Sequence, residues 1–143
     1  MNSPRIVRAL VGGALAAALA GCGTGGPKVV PVTGTLTYKG KPVASALLNF
    51  LPENGRQSWA VTDEQGRFKI NYDEQQDGAV VGTHKVWIEY RPNSQSEQEA
   101  VMMGKAVPLT PELKAFFDKY SYSKSPLKVQ IEKGTKDLPL NLD

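Results

Sequence analysis

The stretch SWAVTDEQGRFKINY, residues 58–72, decides the fold, because it joins two strand-like segments through a turn. In residues 67–72 apolar and polar side chains alternate, which is the pattern of a β-strand with one face in the core. Residues 63–66, DEQG, predict a hairpin connection in which Gly66 adopts a positive φ. The apolar side chains of the second segment are predicted to face inward, namely Phe68, Ile70 and Tyr72.

Alternating segments recur along the rest of the chain and are separated by short turns. They predict further strands over residues 32–38, 43–51, 82–90, 127–132 and 138–142. No helical pattern separates most of these segments, which argues against a parallel sheet. The sequence therefore predicts an all-β fold over residues 29–143, an antiparallel seven-stranded β-sandwich.

One short helix is predicted in the C-terminal third, after residues 91–104, a polar stretch predicted to be a long loop. Thr110 supplies a capping hydroxyl and Pro111 suits the first helical turn. Pro108 and Pro111 also match a PxxP pattern, but the helix start explains them without a partner. An apolar face follows, which predicts that the helix packs on an open edge or face of the sandwich and shelters Trp87. This face consists of Leu113, Phe116, Phe117 and Tyr120.

Residues 1–21 have the pattern of a signal peptide that is removed from the mature protein. Arg5 and Arg8 precede an uncharged apolar run over residues 9–19. As a helix, this run spans about 16 Å, roughly half of a bilayer core, and is too short for a permanent membrane span. It leads into LAGC at residues 19–22, which matches the lipobox of bacterial lipoproteins and contains the only Cys of the chain.

Cys22 is therefore the predicted site of lipid attachment, with an unmodified thiol as the alternative. Resemblance to bacterial lipoproteins implies two or three acyl chains, and two chains are enough for a stable anchor. Residues 22–28 form the predicted lipidated, flexible tether, whose reach is only about 13 Å. The protein is expected in the bacterial cell envelope, on the outer membrane or the outer face of the plasma membrane, with its folded part close to the lipid.

Composition excludes several classes of function. The chain of 143 residues has a formal net charge of +3. Removal of residues 1–21 takes away two of its 17 basic residues and none of its 14 acidic residues, so the mature net charge is +1. No Lys/Arg cluster follows, which argues against a nucleic acid partner. One Cys and one His exclude an internal disulfide and any metal site that needs two thiolates or two imidazoles. We therefore expect no metal and no cofactor.

Several turn and core positions of the mature chain form a wider pattern. They are VxGxLxYxGKPV at residues 32–43, Ala46, Phe50, TDxxGxF at residues 62–68 and DGAxxGxHxV at residues 77–86. Together they resemble the carboxypeptidase regulatory-like domain, in particular the small bacterial lipoproteins that carry this domain alone. Lys119-Tyr120 and Ser125-Pro126-Leu127 also look like that group, whereas residues 91–110 do not. The resemblance implies a transthyretin-like seven-stranded sandwich without a zinc site or a catalytic domain.

His84 is the first candidate for catalysis. It shares its predicted face with Val86 and Ile88, which favours a core or rim histidine hydrogen-bonded to a neighbour. No GxSxG nucleophile motif is present. Transthyretin-like ureide hydrolases use more than one His and a C-terminal Tyr-Arg-Gly-Ser, and this chain matches neither feature. The sequence therefore predicts that the protein is not an enzyme.

The acidic loop DEQQDG at residues 73–78 partly matches a calcium loop. An EF-hand that begins at Asp73 needs Gly at the sixth position, which Gly78 fills, and a bidentate Glu at the twelfth, which is His84. Because that ligand is missing, the loop is predicted to be a solvated turn, with weak calcium binding as the alternative.

The two Trp residues are candidates for ligand contact, because exposed aromatic rings can stack on sugars. Trp59 shares a face with Val61 and is predicted to lie in the core. Trp87 lies opposite the apolar side chains of its strand and is the better surface candidate, although burial under the helix is favoured over exposure.

The function predicted from the sequence is that of a non-catalytic, membrane-anchored cell-envelope lipoprotein that acts as a structural or protein-interaction module. The alternative is a glycan- or peptide-binding accessory protein with an aromatic contact at Trp87. In both interpretations the lipid on Cys22 holds the chain to a membrane, and the partner is an envelope protein or a glycan.

Overall fold

Strands make up most of the regular structure in the computed structural model, which describes residues 26–107 and 109–143. The strands are β1 (Val29–Val30), β2 (Thr33–Tyr38), β3 (Lys41–Pro42), β4 (Ala46–Pro52), β5 (Ser58–Val61), β6 (Arg67–Lys69), β7 (Ala79–Val80), β8 (Gly82–Tyr90), β9 (Lys128–Ile131) and β10 (Asp137–Leu142). The helices are α1 (Gln95–Met102) and α2 (Pro111–Lys119). The fold is mostly β, as the alternation predicts, but the described residues form ten short strands rather than seven.

Two four-stranded sheets contain most of these strands. The first, which we call the β8 sheet, has the order β5-β4-β8-β9, and every neighbouring pair is antiparallel. In the second, the β2 sheet, β10 lies on one side of β2, while β3 and β6 share its other side. The short strands β1 and β7 pair separately.

The hydrophobic core lies between the two sheets, because both contribute side chains to one buried cluster. The β2 sheet supplies Leu36, Phe68, Leu140 and Leu142, and the β8 sheet supplies Leu48, Phe50, Val86, Ile88 and Ile131. In each strand these residues alternate with more exposed ones, as in a β-sandwich. The molecule therefore has a sandwich-like arrangement of two layers around one core.

One strand pair differs from the antiparallel prediction. β10 runs parallel to β2, with Asp137 opposite Thr33 at the start of the pairing. The Leu142 carbonyl accepts a hydrogen bond from the Lys39 N–H at 2.8 Å. The backbone N–H and C=O groups of the even-numbered residues of β10 therefore point towards β2. Pro139 then faces the open edge of the sheet, where its missing N–H removes no ladder bond.

The two segments of residues 58–72 enter different sheets. β5 pairs with β4, whereas β6 pairs with β2. Between them, Trp59 and Asn71 exchange backbone hydrogen bonds of 3.0 and 2.7 Å. The predicted turn is confirmed, since Gly66 has a φ of +73°, and a Cβ at this position would lie 2.5 Å from the Leu36 carbonyl oxygen. The hairpin therefore links the two layers instead of forming one continuous ladder.

α2 begins where the sequence predicts. The Thr110 hydroxyl accepts from the Leu113 N–H at 3.3 Å, and Pro111 lies in the first turn. Pro108, the other proline of the PxxP pattern, lies outside the described residues. The cap therefore accounts for the start of α2.

α2 packs against one open side of the sandwich, between its two layers. Phe116 is fully buried, and its ring centroid lies 4.8 Å from that of Tyr38 on β2. The ring of Phe117 lies 5.6 Å from that of Tyr90 on β8. The apolar face of α2 therefore covers the core, as predicted.

α1 lies within the stretch predicted to be a loop, and that prediction is wrong at residues 95–102. Ser94 accepts through its hydroxyl from the Glu97 N–H at 3.3 Å, and Glu97 accepts through its carboxylate from the Ser94 N–H at 3.1 Å. This reciprocal pair is a capping box, and its S-x-x-E spacing is visible in the sequence. None of the residues of α1 is buried, so apolar periodicity gives no signal there.

Candidate functional site

The predicted lipid-attachment site, Cys22, and the predicted signal peptide lie outside the described residues. Two contacts fasten the N-terminal part of the described chain. The Lys28 carbonyl accepts from the Val81 N–H at 2.9 Å, and β1 pairs with β7. Because β8 begins at Gly82, the chain enters the domain at the end of the β8 sheet where β8 starts. We call this the tether end.

The far end of the β8 sheet lies about 26 Å away, the rise of the nine residues of β8. There Tyr90 pairs with Ala46, and α1 follows shortly after. Three exposed apolar side chains lie at the C-terminal end of α1, namely Val101, Met102 and the C-cap residue Met103. The first turn of α1 is fastened at this end of the sheet, opposite the tether, because Glu97 Oε2 accepts from the Ser45 hydroxyl.

Trp87 does not form an open contact surface, because only 7% of it is exposed. The burial favoured by the sequence is confirmed, and the surface interpretation of Trp87 is wrong. The side chain that covers Trp87 also differs from the prediction. Phe116 and Phe117 pack on the core side of β8, whereas Trp87 lies on the other face, where the Tyr122 ring stands edge-on at 4.9 Å.

Trp59 is 37% exposed, so the prediction that it lies in the core is wrong. The small side chains of Ser58 and Ala60 face inward instead and are fully buried. Ser58 is paired with Phe50, and both side chains are fully buried on the inner face of the sheet. The indole is turned outward, where the Arg91 guanidinium lies 5.9 Å from its ring centroid.

Asn49 lies between the two Trp residues, in register with Trp59 on β5 and Trp87 on β8. Gln57 Nε2 donates to Asn49 Oδ1 at 2.8 Å, and Asn49 Nδ2 donates to Glu89 Oε2 at 3.2 Å. Side chains in direct register share a face of the sheet. The outer face of the β8 sheet therefore combines aromatic rings with an ordered chain of two amides and a carboxylate.

A second polar cluster joins α1 to the residue before β4. Glu97 Oε2 accepts from the Ser45 hydroxyl at 2.6 Å and from the backbone N–H groups of Asn93 and Ser94 at 3.1 Å each. Burial alone would raise the pKa of Glu97, but these hydrogen bonds to the ionised carboxylate outweigh burial and lower the pKa to about 2. We call this cluster the Glu97 clasp.

The Glu97 clasp contains a hydroxyl beside a carboxylate, which is the pairing of a nucleophile and a base. A carboxylate with a pKa of about 2 is a poor acceptor for a serine proton near neutral pH. Burial, and then the negative charge of Glu97, raise the pKa of the nearby Tyr90 hydroxyl to about 12, so this group keeps its proton. The arrangement suits the attachment of α1 better than proton transfer.

His84 is fully buried, and its Nε2 lies 2.7 Å from the Val80 carbonyl oxygen. The prediction of a core histidine bonded to a neighbour is confirmed. Within the described residues, its Nδ1 is buried without a hydrogen-bond partner. The imidazole packs edge-on to Phe50, with ring centroids 6.3 Å apart, and this burial keeps it from a substrate in solution.

The acidic loop at residues 73–78 is a solvated turn, as predicted. Asp73 Oδ1 accepts from two backbone N–H groups of the same turn at 2.8 and 2.7 Å. Asp77 forms an ion pair with Lys69 at 3.1 Å. The two carboxylates therefore close the turn and pair with a neighbouring strand.

Over residues 26–107 and 109–143, His, Cys, Asp and Glu form no group of three or more that could hold a metal ion. The helices in that part of the chain are too short or too polar to cross a membrane.

The chain matches no protein-family model, no curated protein and no solved structure. Its functional interpretation therefore depends on its own residues and their geometry.

Proposed function

We propose that this chain is a non-catalytic cell-envelope lipoprotein, anchored to a membrane through a lipid on Cys22, whose β domain acts as a structural or protein-interaction module. Residues 1–21 are its signal peptide and residues 22–28 its tether. Its domain is a transthyretin-like sandwich of the carboxypeptidase regulatory-like type. The observation that carries the proposal is the sequence LAGC at residues 19–22, placed directly after a short apolar run and a basic start.

The geometry of the tether end supports this proposal. The chain reaches β1 only a few residues after Cys22, and β1 is fastened to β7 at one end of the β8 sheet. A lipid on Cys22 would hold that end against the membrane. The far end, with α1 and its exposed methionines, would then face away from the lipid and be accessible to an envelope partner.

The chemistry of the described polar clusters supports a non-catalytic role. His84 is sealed in the core, and the carboxylate beside the Ser45 hydroxyl, that of Glu97, has a pKa of about 2. The buried imidazole cannot reach a substrate in solution, and the Glu97 carboxylate is a poor proton acceptor near neutral pH.

Mass spectrometry of the protein extracted from bacterial envelopes tests the proposal. We expect loss of residues 1–21 and a diacylglycerol-containing adduct on Cys22. The matched control is Cys22→Ser, which removes the only thiol and should release the protein from the membrane fraction. An intact residue Met1, or an unmodified thiol at Cys22 in the membrane-extracted protein, would overturn the lipoprotein assignment.

A crosslinking pull-down from intact envelopes tests the interaction role separately. We expect a discrete envelope protein to crosslink to the native protein and to be lost when Met102 and Met103 are replaced by Ser. Failure of the anchored protein to crosslink to any envelope component would contradict the module role without affecting the lipid assignment.

A second candidate function is that of a glycan- or peptide-binding accessory protein. The observation that favours it is the exposed aromatic surface on the β8 sheet, which is centred on Trp59 rather than on Trp87.

A further inference from the structure

We propose that the outer face of the β8 sheet binds an acidic polysaccharide, whose sugar rings stack on Trp59 and Tyr122 while its carboxylates pair with basic side chains beside these rings. The inference rests on the second candidate function, binding by an exposed aromatic surface. It is independent of the lipid on Cys22.

Two exposed aromatic side chains occupy this outer face. Trp59 is 37% exposed and Tyr122 is 57% exposed. Trp59 and Trp87 lie on strands separated by β4, so their backbones are about 10 Å apart. Tyr122 packs on Trp87, with ring centroids 4.9 Å apart. The two exposed rings are therefore spaced across the sheet at a separation that a chain of several linked pyranose rings can span.

A basic side chain lies beside each exposed ring. The Arg91 guanidinium is 5.9 Å from the centroid of Trp59, and Lys85 Nζ is 4.5 Å from the centroid of Tyr122. Lys128 is in register with Lys85 on the neighbouring strand. A uronate unit has an apolar C–H face for stacking and a carboxylate for a cation, and each ring–cation pair offers both. This complementarity favours an acidic over a neutral polysaccharide.

The space between the rings has an ordered polar floor. Gln57, which directly precedes β5, forms a hydrogen-bonded chain with Asn49 on β4 and Glu89 on β8. Asn49 is only 5% exposed, so its amide orients the more exposed groups on either side without needing to move. Binding sites in proteins commonly combine apolar rings with a few polar groups held in place by such contacts. Glu89 and Gln57 are therefore positioned to bond sugar hydroxyls.

Nucleic acid bases also stack on aromatic rings, but this face does not have the charge that a phosphate chain requires. Glu89 carries a negative charge between Arg91 and Lys85, and the sequence contains no basic cluster. A uronate chain carries hydroxyl groups as well as carboxylates, so it can donate to Glu89 while it pairs with the cations, and it fits this pattern of alternating charge better than a polyphosphate.

Binding of defined oligosaccharides to the full chain in detergent micelles tests the proposal. The probes are oligogalacturonates and neutral malto-oligosaccharides of the same length, measured by isothermal titration at low and high salt. We expect the acidic probe to bind more tightly than the neutral one, and added salt to weaken it. Trp59→Ala and Tyr122→Ala should each weaken binding about tenfold, and Arg91→Gln several-fold.

Two variants serve as controls. Trp59→Phe keeps an aromatic ring at this position and should retain most of the affinity. Lys41→Gln removes an exposed basic side chain from β3 of the other sheet and should leave binding unchanged. Near-UV circular dichroism shows that each variant is folded.

Three results would overturn the proposal. The first is absence of binding by either class of saccharide. The second is unchanged affinity in folded Trp59→Ala. The third is binding of a proline-rich peptide at Trp59 with no saccharide binding, which would identify the face as a peptide site. None of these results depends on lipid attachment to Cys22, which mass spectrometry tests separately.

Discussion

Acidification should weaken the protein through one carboxylate, that of Glu97. Its pKa falls from 4.5 to about 2 on folding, because burial, which raises it, is outweighed by hydrogen bonds from Ser45, Ser94 and Asn93. A lowered pKa in the folded state stabilises the protein above the unfolded value, and this contribution is lost as the pH falls from about 4.5 towards 2. Glu97→Gln removes the charge and should remove this part of the acid sensitivity.

The size of the effect follows from the shift. A fall in the pKa of Glu97 from 4.5 to about 2 corresponds to about 3 kcal/mol of stabilisation before solvent screening is taken into account. Glu97 is only half-buried, and solvent screening reduces the contribution to roughly 1–2 kcal/mol. We therefore expect wild type to exceed Glu97→Gln in free energy of unfolding by that amount at pH 7, and the gap to close near pH 2.

Urea unfolding at a series of pH values measures this gap. Hydrogen exchange of the α1 amides reports the local event, because α1 has no buried residues and is held to the sheets through its first turn. Glu99→Gln, on the exposed side of the same helix, is the matched control and should show no such pH-dependent gap. An equal difference between wild type and Glu97→Gln at pH 7 and pH 2 would refute the reasoning.

Three further predictions concern the fold. Gly66→Ala should lower the free energy of unfolding in urea by about 1–3 kcal/mol, clearly more than Gly40→Ala does. Both glycines have a positive φ, but a Cβ at Gly66 would also meet the Leu36 carbonyl oxygen. Equal losses in the two variants would refute the contribution of this steric contact. Phe116→Ala should lower the free energy of unfolding by about 3–5 kcal/mol, and a thermal scan that matches wild type would contradict its burial. The pKa of Tyr90 is raised from 10.0 to about 12 in the folded protein, so wild type should lose stability as the pH rises from 10 to 12. Tyr90→Phe should lack this loss. If wild type and Tyr90→Phe lost the same stability over this pH range, the prediction would be wrong.

Sequence reasoning predicted the longer strands and α2 because their signals are local, and it missed the two-residue strands β1, β3 and β7. The bounds of β8, residues 82–90, follow from alternation, and the start of α2 follows from Thr110 and Pro111. α1 was not predicted because its apolar residues do not recur with a helical period, although the spacing of Ser94 and Glu97 already indicates a helix start.

The orientation of Trp59 and the side chain that covers Trp87 could not be predicted, because both depend on contacts across strands and layers. In β5, hydrophobicity favours Trp59 inside, but the pairing with β4 turns Ser58 and Ala60 inward, opposite Phe50 and Leu48. In β8, Trp87 is buried on the opposite face from Val86, because Tyr122 folds back over it from a distant segment. The candidate site moved from Trp87 to Trp59 for this reason.

The pairing of β2 with β10 also bears on how the chain reaches its native state. Thr37 and Asn141 lie 104 positions apart, yet the Thr37 hydroxyl donates to Asn141 Oδ1 at 2.8 Å. Closure of so long a loop comes late and slows folding. Until β10 docks, one side of β2 offers unpaired backbone groups to any other extended polypeptide. This side of β2 is therefore open to self-association until residues 137–142 have docked beside it.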